Sequence, residues 1–533
     1  MENFEQLKTV NTGTLLMSNA YALGGTNGSL NITGGTLSAG NYNISVGSVT
    51  LGNGTLSGTG TLTGTGYTAT NTGAALVSES LAGSGAFTQS SIGTTTLSAS
   101  NSFSGGSSLN GGGLNITSGS SLGAGDLSMN SGTKLAYTGS GAATLANNIS
   151  LSSGNGTIAN SSGSALTLSG NVTDNGSSLT LAGGSYNLFG SVTGSYSLSN
   201  AAVTLSGLNT YGAPTAILAG STLNLGGNDN ISKSSTLNFG AVTDISTQTN
   251  ALNLAGYNQS VASLGSIGSG VSQIINNGAN STFTIAGNST FGGTVGGTKT
   301  TVAQRNINLT IGNGANVNLT GNNTYTGNTT IQTNAVLDLG GGGQLPGTKS
   351  VIVNNGTLLL GGNGRVNPVN STASLELNGG TLSMGGTNAT SRTASQAFAS
   401  LTLTGNSTIS YIDFADLSGN SSLTFASIVM NGNTLNIFDW SGTNQWGTQS
   451  TTQTGSFTHL FDQSGLSSSD LANINFYAGN SISSQFLGTG AFSGNEIVPV
   501  PEPGVIIAAM MLLGWLLFAN RGVLITLTSR RQA

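Results

Sequence analysis

Residues 203–239 read VTLSGLNTYGAPTAILAGSTLNLGGNDNISKSSTLNF. Three apolar triplets punctuate the stretch: Val203-Thr204-Leu205, Leu223-Asn224-Leu225 and Leu237-Asn238-Phe239. In each, one polar residue separates two large apolar ones. A period of two puts both apolar side chains on one face of an extended strand and the polar one on the other. Gly and Asn beside the triplets supply turns with positive φ. The strands are therefore very short, and such strands bury a core only when stacked on others like themselves.

The same signature runs along the chain: Val49-Thr50-Leu51, Leu114-Asn115-Ile116, Leu252-Asn253-Leu254, Val317-Asn318-Leu319, Leu337-Asp338-Leu339, Leu375-Glu376-Leu377, Leu401-Thr402-Leu403 and Leu435-Asn436-Ile437. Successive triplets often fall about 14 to 22 residues apart, the length of one coil in a β-solenoid. This predicts an all-β chain, a β-solenoid (parallel β-helix) of short repeats. An array of sandwich domains is the structural alternative, and its strands are usually longer.

A longer repeat overlies the triplets. Thr96–Leu109 (TLSASNSFSGGSSL), Thr204–Ile217 (TLSGLNTYGAPTAI) and Asn318–Ile331 (NLTGNNTYTGNTTI) align without gaps. Leu97, Leu205 and Leu319 are expected to face the core. Phe103, Tyr211 and Tyr325 are expected to stack at or near a corner. The pattern, with Gly-Thr-Leu signatures at Gly35, Gly54 and Gly356, resembles the autotransporter-associated β-strand (passenger-associated transport) repeat. The resemblance implies a surface-exposed solenoid. Pro214 stands in the glycine region of the second copy, so that turn is expected to differ.

Composition narrows the function. The 533 residues include 85 glycines, no cysteine and one histidine, and 5% are charged, against about 25% in an ordinary globular chain. Solubility must come from Ser, Thr and Asn. No disulfide framework or cysteine metal site is possible. No basic patch precedes the C-terminal tail, so nothing points to nucleic acid.

That tail reads differently from the body. Val500-Pro501-Glu502-Pro503 precedes sixteen uncharged residues, Gly504 to Ala519, and every charged side chain after Glu502 is an arginine: Arg521, Arg530 and Arg531. As a helix, sixteen residues span about 24 Å, slightly less than a bilayer core of about 30 Å. Arg521 can snorkel to lengthen the span. The basic stop places the tail in the cytoplasm and the body outside it. Proline motif, helix and basic tail in this order resemble the PEP-CTERM sorting signal. The resemblance implies an exosortase-type enzyme that recognises the motif, cleaves the anchor and releases the body to the cell surface or matrix. A second apolar stretch, Gly522 to Thr528, departs from that pattern.

The expected organisation is a solenoid over 1–395, final rungs and a cap over 396–495 where aromatics become frequent, an extended linker with the sorting motif over 496–503, a transmembrane helix over 504–520 and a basic tail over 521–533. Leu466–Ala472 (LSSSDLA) reads as one short helical turn. An exported body needs export machinery, yet Met1–Lys8 is acidic and Leu15-Leu16-Met17 is too short for a signal-peptide core. Ala20-Tyr21-Ala22 fits a small-x-small cleavage site, and a longer reading frame carrying a Sec-type leader is expected.

Catalytic signals are sparse. Asp413, Asp416 and Asp439, with Glu376 and Arg392 upstream, form the densest acidic cluster, but glycosidic chemistry needs two carboxylates at a set separation. On a strand Asp413 and Asp416 point to opposite faces. The single histidine, His459, has no visible triad or metal partners. Gly342–Ser350 (GGQLPGTKS) approaches a phosphate loop, but Thr348 separates Gly347 from Lys349 and no helical pattern follows. A turn between rungs is the better reading. The expectation is a non-enzymatic adhesion or scaffold protein without cofactor or metal, held by a membrane anchor before processing, with exopolysaccharide or surface glycans as partners. An autotransporter-type adhesin passenger and a polysaccharide-active β-helix enzyme are the alternatives.

Overall fold

A computed structural model describes residues 8–25, 28–297, 302–361, 365–385, 393–411, 421–440, 458–462, 466–500 and 511. The chain divides into two units, Met1–Asn308 and Leu309–Ala533. Together they hold a parallel β-solenoid of about 17 turns with almost no helix. Among the described residues no helix is long and apolar enough to cross a membrane. The expected anchor, Gly504–Asn520, lies outside them except for Met511.

In the first unit the turns stack on three faces. One face rises from Lys8–Val10 through Leu30–Ile32, Ser48–Leu51 and Gly66–Ala69 to Val172–Thr173. A second starts at Thr14–Leu16 and Thr36–Ser38 and continues to Ser289–Phe291. The third is short at first, Ile44–Ser45, Thr61–Thr63 and Ser80–Ala82, and resumes as eight strands from Ala143–Leu145 to Thr294–Val295. Gln259–Val261 and Ser281–Ile285 pair on a further sheet beyond the end of the first. These pairings are parallel, with partners about 20 residues apart.

Register turns each position of a turn into a column. One inner column of the second face runs Leu114, Leu135, Ile158, Leu181, Leu198, Ile217 and Phe239. All seven are 0% exposed. The polar residue of each triplet forms the outer column: Thr167, Asn187, Thr204, Asn224 and Asn253 stand over one another on the third face. Short strands suffice because within each stack a strand lies between two others and its backbone groups are paired on both edges, the strands at the ends of a stack excepted.

The repeated Asn of the longer motif acts at a corner. Asn209 is 3% exposed, accepts from Val192 N–H at 2.6 Å in the turn before, and donates to Asn230 C=O at 2.7 Å in the turn after. Asn101 does the same between Leu81 N–H (2.8 Å) and Ser121 C=O (2.5 Å). In the second unit Asn323 donates to Gln344 C=O at 3.3 Å. Two residues on, Phe103, Tyr211 and Tyr325 are buried, and the two tyrosine hydroxyls bond Thr215 Oγ1 (2.7 Å) and Thr329 Oγ1 (2.6 Å). The motif therefore fixes one corner, with an amide relay for the backbone and an aromatic plug for the interior.

The strands of the second unit also fall on three faces. One contains Asn316–Leu319, Val336–Asp338, Thr357–Leu359, Thr381–Ser383, Ser407–Ser410, Leu435–Phe438 and Ile474–Tyr477. Its inner column, Val317, Leu337, Leu358, Leu382, Ile409, Ile437 and Phe476, is fully buried. A second carries Thr329–Ile331, Ser350–Asn354, Ser374–Asn378, Ser400–Leu403 and Ile428–Val429. The third carries Arg365–Val366, Thr393–Phe398, Ser421–Phe425 and Thr458–Asp462.

Two expectations change. Ala20-Tyr21-Ala22 lies within the first turn, because Lys8–Val10 and Thr14–Leu16 already pair with the second turn. A cut there would separate paired strands from the body. Glu496–Val500 is extended as expected but is not a free linker: it pairs antiparallel with Phe486–Ser493 along its whole length. Edge strands that end a stack need covering, and this segment supplies the cover.

The column logic yields a graded prediction for urea unfolding. Leu198→Ala should cost about 2–5 kcal/mol through the cavity it leaves. Asn209→Ala should cost about 1–3 kcal/mol, because two buried backbone groups lose their partner. The outward Thr204→Ala should stay within about 0.5 kcal/mol of the parent.

Candidate functional site

The C-terminal end of the second unit closes with aromatic packing. Trp440, Tyr411, Phe425 and Phe476 are 0% exposed. Trp440 meets Phe476 edge-on at 4.8 Å and Tyr411 at 5.8 Å, while Phe398 stacks on Phe425 at 5.8 Å. The Tyr411 hydroxyl donates to His459 C=O at 2.8 Å. Burial pushes the Tyr411 phenol well above its usual range, with the Glu496 carboxylate adding to the effect. Ser468–Leu471 is the expected helical turn, held by a capping box between Ser467 and Asp470.

An antiparallel hairpin completes this end. Phe486–Ser493 pairs with Ile474–Tyr477 on one face, and Glu496–Val500 meets Thr458–Asp462 on another. The hairpin thus bridges two strand stacks. Gly488 permits its close approach: its φ is 132°, and a Cβ there would lie 1.8 Å from Val500 O. His459 Nδ1 and Glu496 Oε1 stand 2.9 Å apart and tie strand to hairpin, with the imidazole stacked on Phe461. Of the sorting motif, Val500 is among the described residues and pairs with Thr489. Pro501, Glu502, Pro503, Arg521, Arg530 and Arg531 lie outside the described residues.

The acidic cluster is only partly visible, since Asp413, Asp416 and Arg392 also lie outside the described residues. Glu376 projects outward from Ser374–Asn378 and accepts from Thr404 Oγ1 at 3.2 Å. Asp439 sits at a left-handed corner (φ 56°) after Leu435–Phe438, where Ser410 Oγ donates to it at 3.1 Å. His459 belongs to the third face. These three side chains occupy three different strand stacks, and each is used locally. The start of the glycine-rich loop is also engaged: the Arg365 guanidinium donates to the carbonyl of Gly343 and, outside the loop, to those of Leu339 (2.8 Å) and Gly361 (3.4 Å). Carbonyls turned on a cation form the opposite polarity to a phosphate cradle.

The chemistry offered outward is mostly hydroxyl and amide. On the first face of the first unit, Asn31, Thr50, Thr68, Thr88, Ser108, Ser128, Ser150 and Thr173 form one column. Such a surface can donate and accept hydrogen bonds at each rung without charge. On the second face the column Ala216, Asn238, Gly265, Thr290 lacks bulk. There a groove of about 540 Å³ opens, bordered by Leu218, Val242 and Ile267. Val242 is 90% exposed and Ile267 59%, and no lining residue is charged. The triplet reading missed this groove because its exposed apolar residues, Val242 and Ile267, lie outside the triplets. Val242 in the loop after Phe239 and Ile267 beyond Leu264 were the available signals.

Comparison with known proteins adds no relative: no family model, curated protein or solved structure matches the chain. The site is therefore read from its own geometry.

Gly488→Val should force the hairpin from its partner strands and expose two strand edges. Sedimentation velocity is expected to show concentration-dependent self-association of this variant. His459→Ala removes one partly exposed pair, costs about 0.5–1 kcal/mol, and should sediment like the parent.

Proposed function

We propose that this chain is an exported, non-enzymatic surface or extracellular-matrix protein that contacts neutral glycans along its solenoid. The observation that carries this reading is the outward chemistry: stacked Ser, Thr and Asn on the first face and, on the second, an uncharged, partly apolar groove. A pyranose has an apolar ring face and a rim of hydroxyls. Leu218, Val242 and Ile267 suit the former, while Asn238, Ser266 and Thr290 suit the latter. Each contact is weak, and repetition along a glycan chain raises the total by effective concentration.

Delivery follows from the tail. Val500-Pro501-Glu502-Pro503, the apolar Gly504–Asn520 and Arg521, Arg530 and Arg531 compose a sorting signal for an exosortase-type enzyme acting on an inner-membrane precursor. The position of the hairpin supports this, because removal of everything beyond Pro503 would leave each described strand intact.

Two measurements test the two halves. Intact mass of the surface fraction from the native host should correspond to a chain ending near Pro503. A mass that retains Ala533, found only in the inner membrane, defeats the sorting half. In affinity electrophoresis against the host's neutral exopolysaccharide, the double variant Val242→Asp, Ile267→Asp should bind about tenfold more weakly than the parent. Equal retardation of both proteins removes the groove from the reading.

A further inference from the structure

Glu79 breaks the column rule. It lies between Ala74–Val77 and Ser80–Ala82, at a corner of the first unit. Leu37, Leu56, Val77 and Leu97 share one column. Two residues further on, the corner positions are Ala39, Gly58, Glu79 and Ala99. Three are small and one is a glutamate.

The Glu79 side chain turns inward over Gly58. A Cβ on Gly58 would lie 1.8 Å from Glu79 Oε2 and 2.9 Å from Gly40 O, so the carboxyl stands beside a carbonyl, another acceptor. Glu79 is 0% exposed, and neither carboxyl oxygen has a hydrogen-bond partner. No counter-charge is at hand: between Lys8 and Asp126 the chain has no other Asp, Glu, Lys or Arg. Residues 38–42, 57–61 and 97–101, from the turns packed against this corner, contribute one titratable side chain, Tyr42. Lys8 is occupied by Leu23 C=O.

We infer that Glu79 is a proton-dependent latch: as a neutral acid it closes this corner of the first unit, and on ionising it loosens it. The physical reason is desolvation. An isolated carboxylate in an apolar corner is far less tolerable than a carboxylic acid, and the acid form can also donate to a neighbouring carbonyl. Burial accordingly pushes the Glu79 carboxyl from its ordinary 4.5 up to about 7. An acid whose folded value is raised favours the closed state most below the open-state value. That advantage is lost as pH climbs from 4.5 to about 7, and the closed state stays at its weaker level above. Between pH 5 and pH 8.5 the local opening constant should rise roughly 100-fold.

Hydrogen–deuterium exchange of the full chain, corrected for intrinsic rates and followed from pH 5 to 8.5, tests the latch. Protection of 74–82 should fall roughly 100-fold in the parent, levelling off near pH 7. Glu79→Gln, neutral and nearly isosteric, should keep full protection throughout, and the outward Glu376→Gln should behave as the parent. The inference is overturned if Glu79→Gln shows the parent's pH dependence or loses protection already at pH 5. A ¹³C titration of the Glu79 carboxyl with its midpoint at the ordinary 4.5 overturns it as well. So does rescue of the parent, but not of Glu79→Gln, by millimolar Ca²⁺ at pH 8.5, which would make the corner a cation seat instead.

Discussion

In-register parallel pairing governs this molecule. Once Leu198 lies over Leu181 and under Ile217, every other residue of those turns inherits a fixed neighbour above and below. Hydrogen bonding sets the vertical spacing between strands at about 4.8 Å, so side chains in a column must tolerate that distance. Leu, Ile and Val do so inside, and Ser, Thr and Asn do so outside. Charged residues do so poorly, since like charges would stack directly. The low charge content of the chain thus suits its architecture, in which only opposite charges stack favourably.

Corners show the same constraint in another form. A turn must leave one face and enter the next while its backbone groups stay paired with the turns on either side. Asn101 and Asn209 meet this with one side chain each, accepting from one turn and donating to the other. Asn also tolerates left-handed backbone, as at Asn334, Asn355 and Asn431, where φ is 58°, 49° and 51°. Asn richness therefore has two sources in this fold, relays and left-handed bends.

Much of this was legible in the sequence because column and triplet are the same pattern seen in two directions. Leu97, Leu205 and Leu319 face inward as their spacing required, and Phe103, Tyr211 and Tyr325 fill the interior beside them. The helical turn at Ser468–Leu471 announced itself through Ser467 and Asp470. Long-range pairing was not legible. Nothing near Glu496 states that it will meet His459, 37 residues earlier, or that the residues before Pro501 will close the stack. The groove escaped notice because it arises from what Gly265 lacks. Glu79 escaped notice because its corner position emerges only after the strands are in register.

The hairpin at the end of the second unit has a mechanical consequence. Val500 pairs with Thr489 at the open end of that hairpin, while the bend lies near Gly494. A pull on the chain beyond Val500 therefore loads one backbone pair at a time, from Val500–Thr489 toward Glu496–Ser493, as a zipper opens. This arrangement yields at lower force than strands loaded in shear, where all pairs resist together. The stacked strand Thr458–Asp462 would feel the load once it reaches Glu496, which is held by Phe461 and His459, so Ile497–Val500 acts as a mechanical fuse.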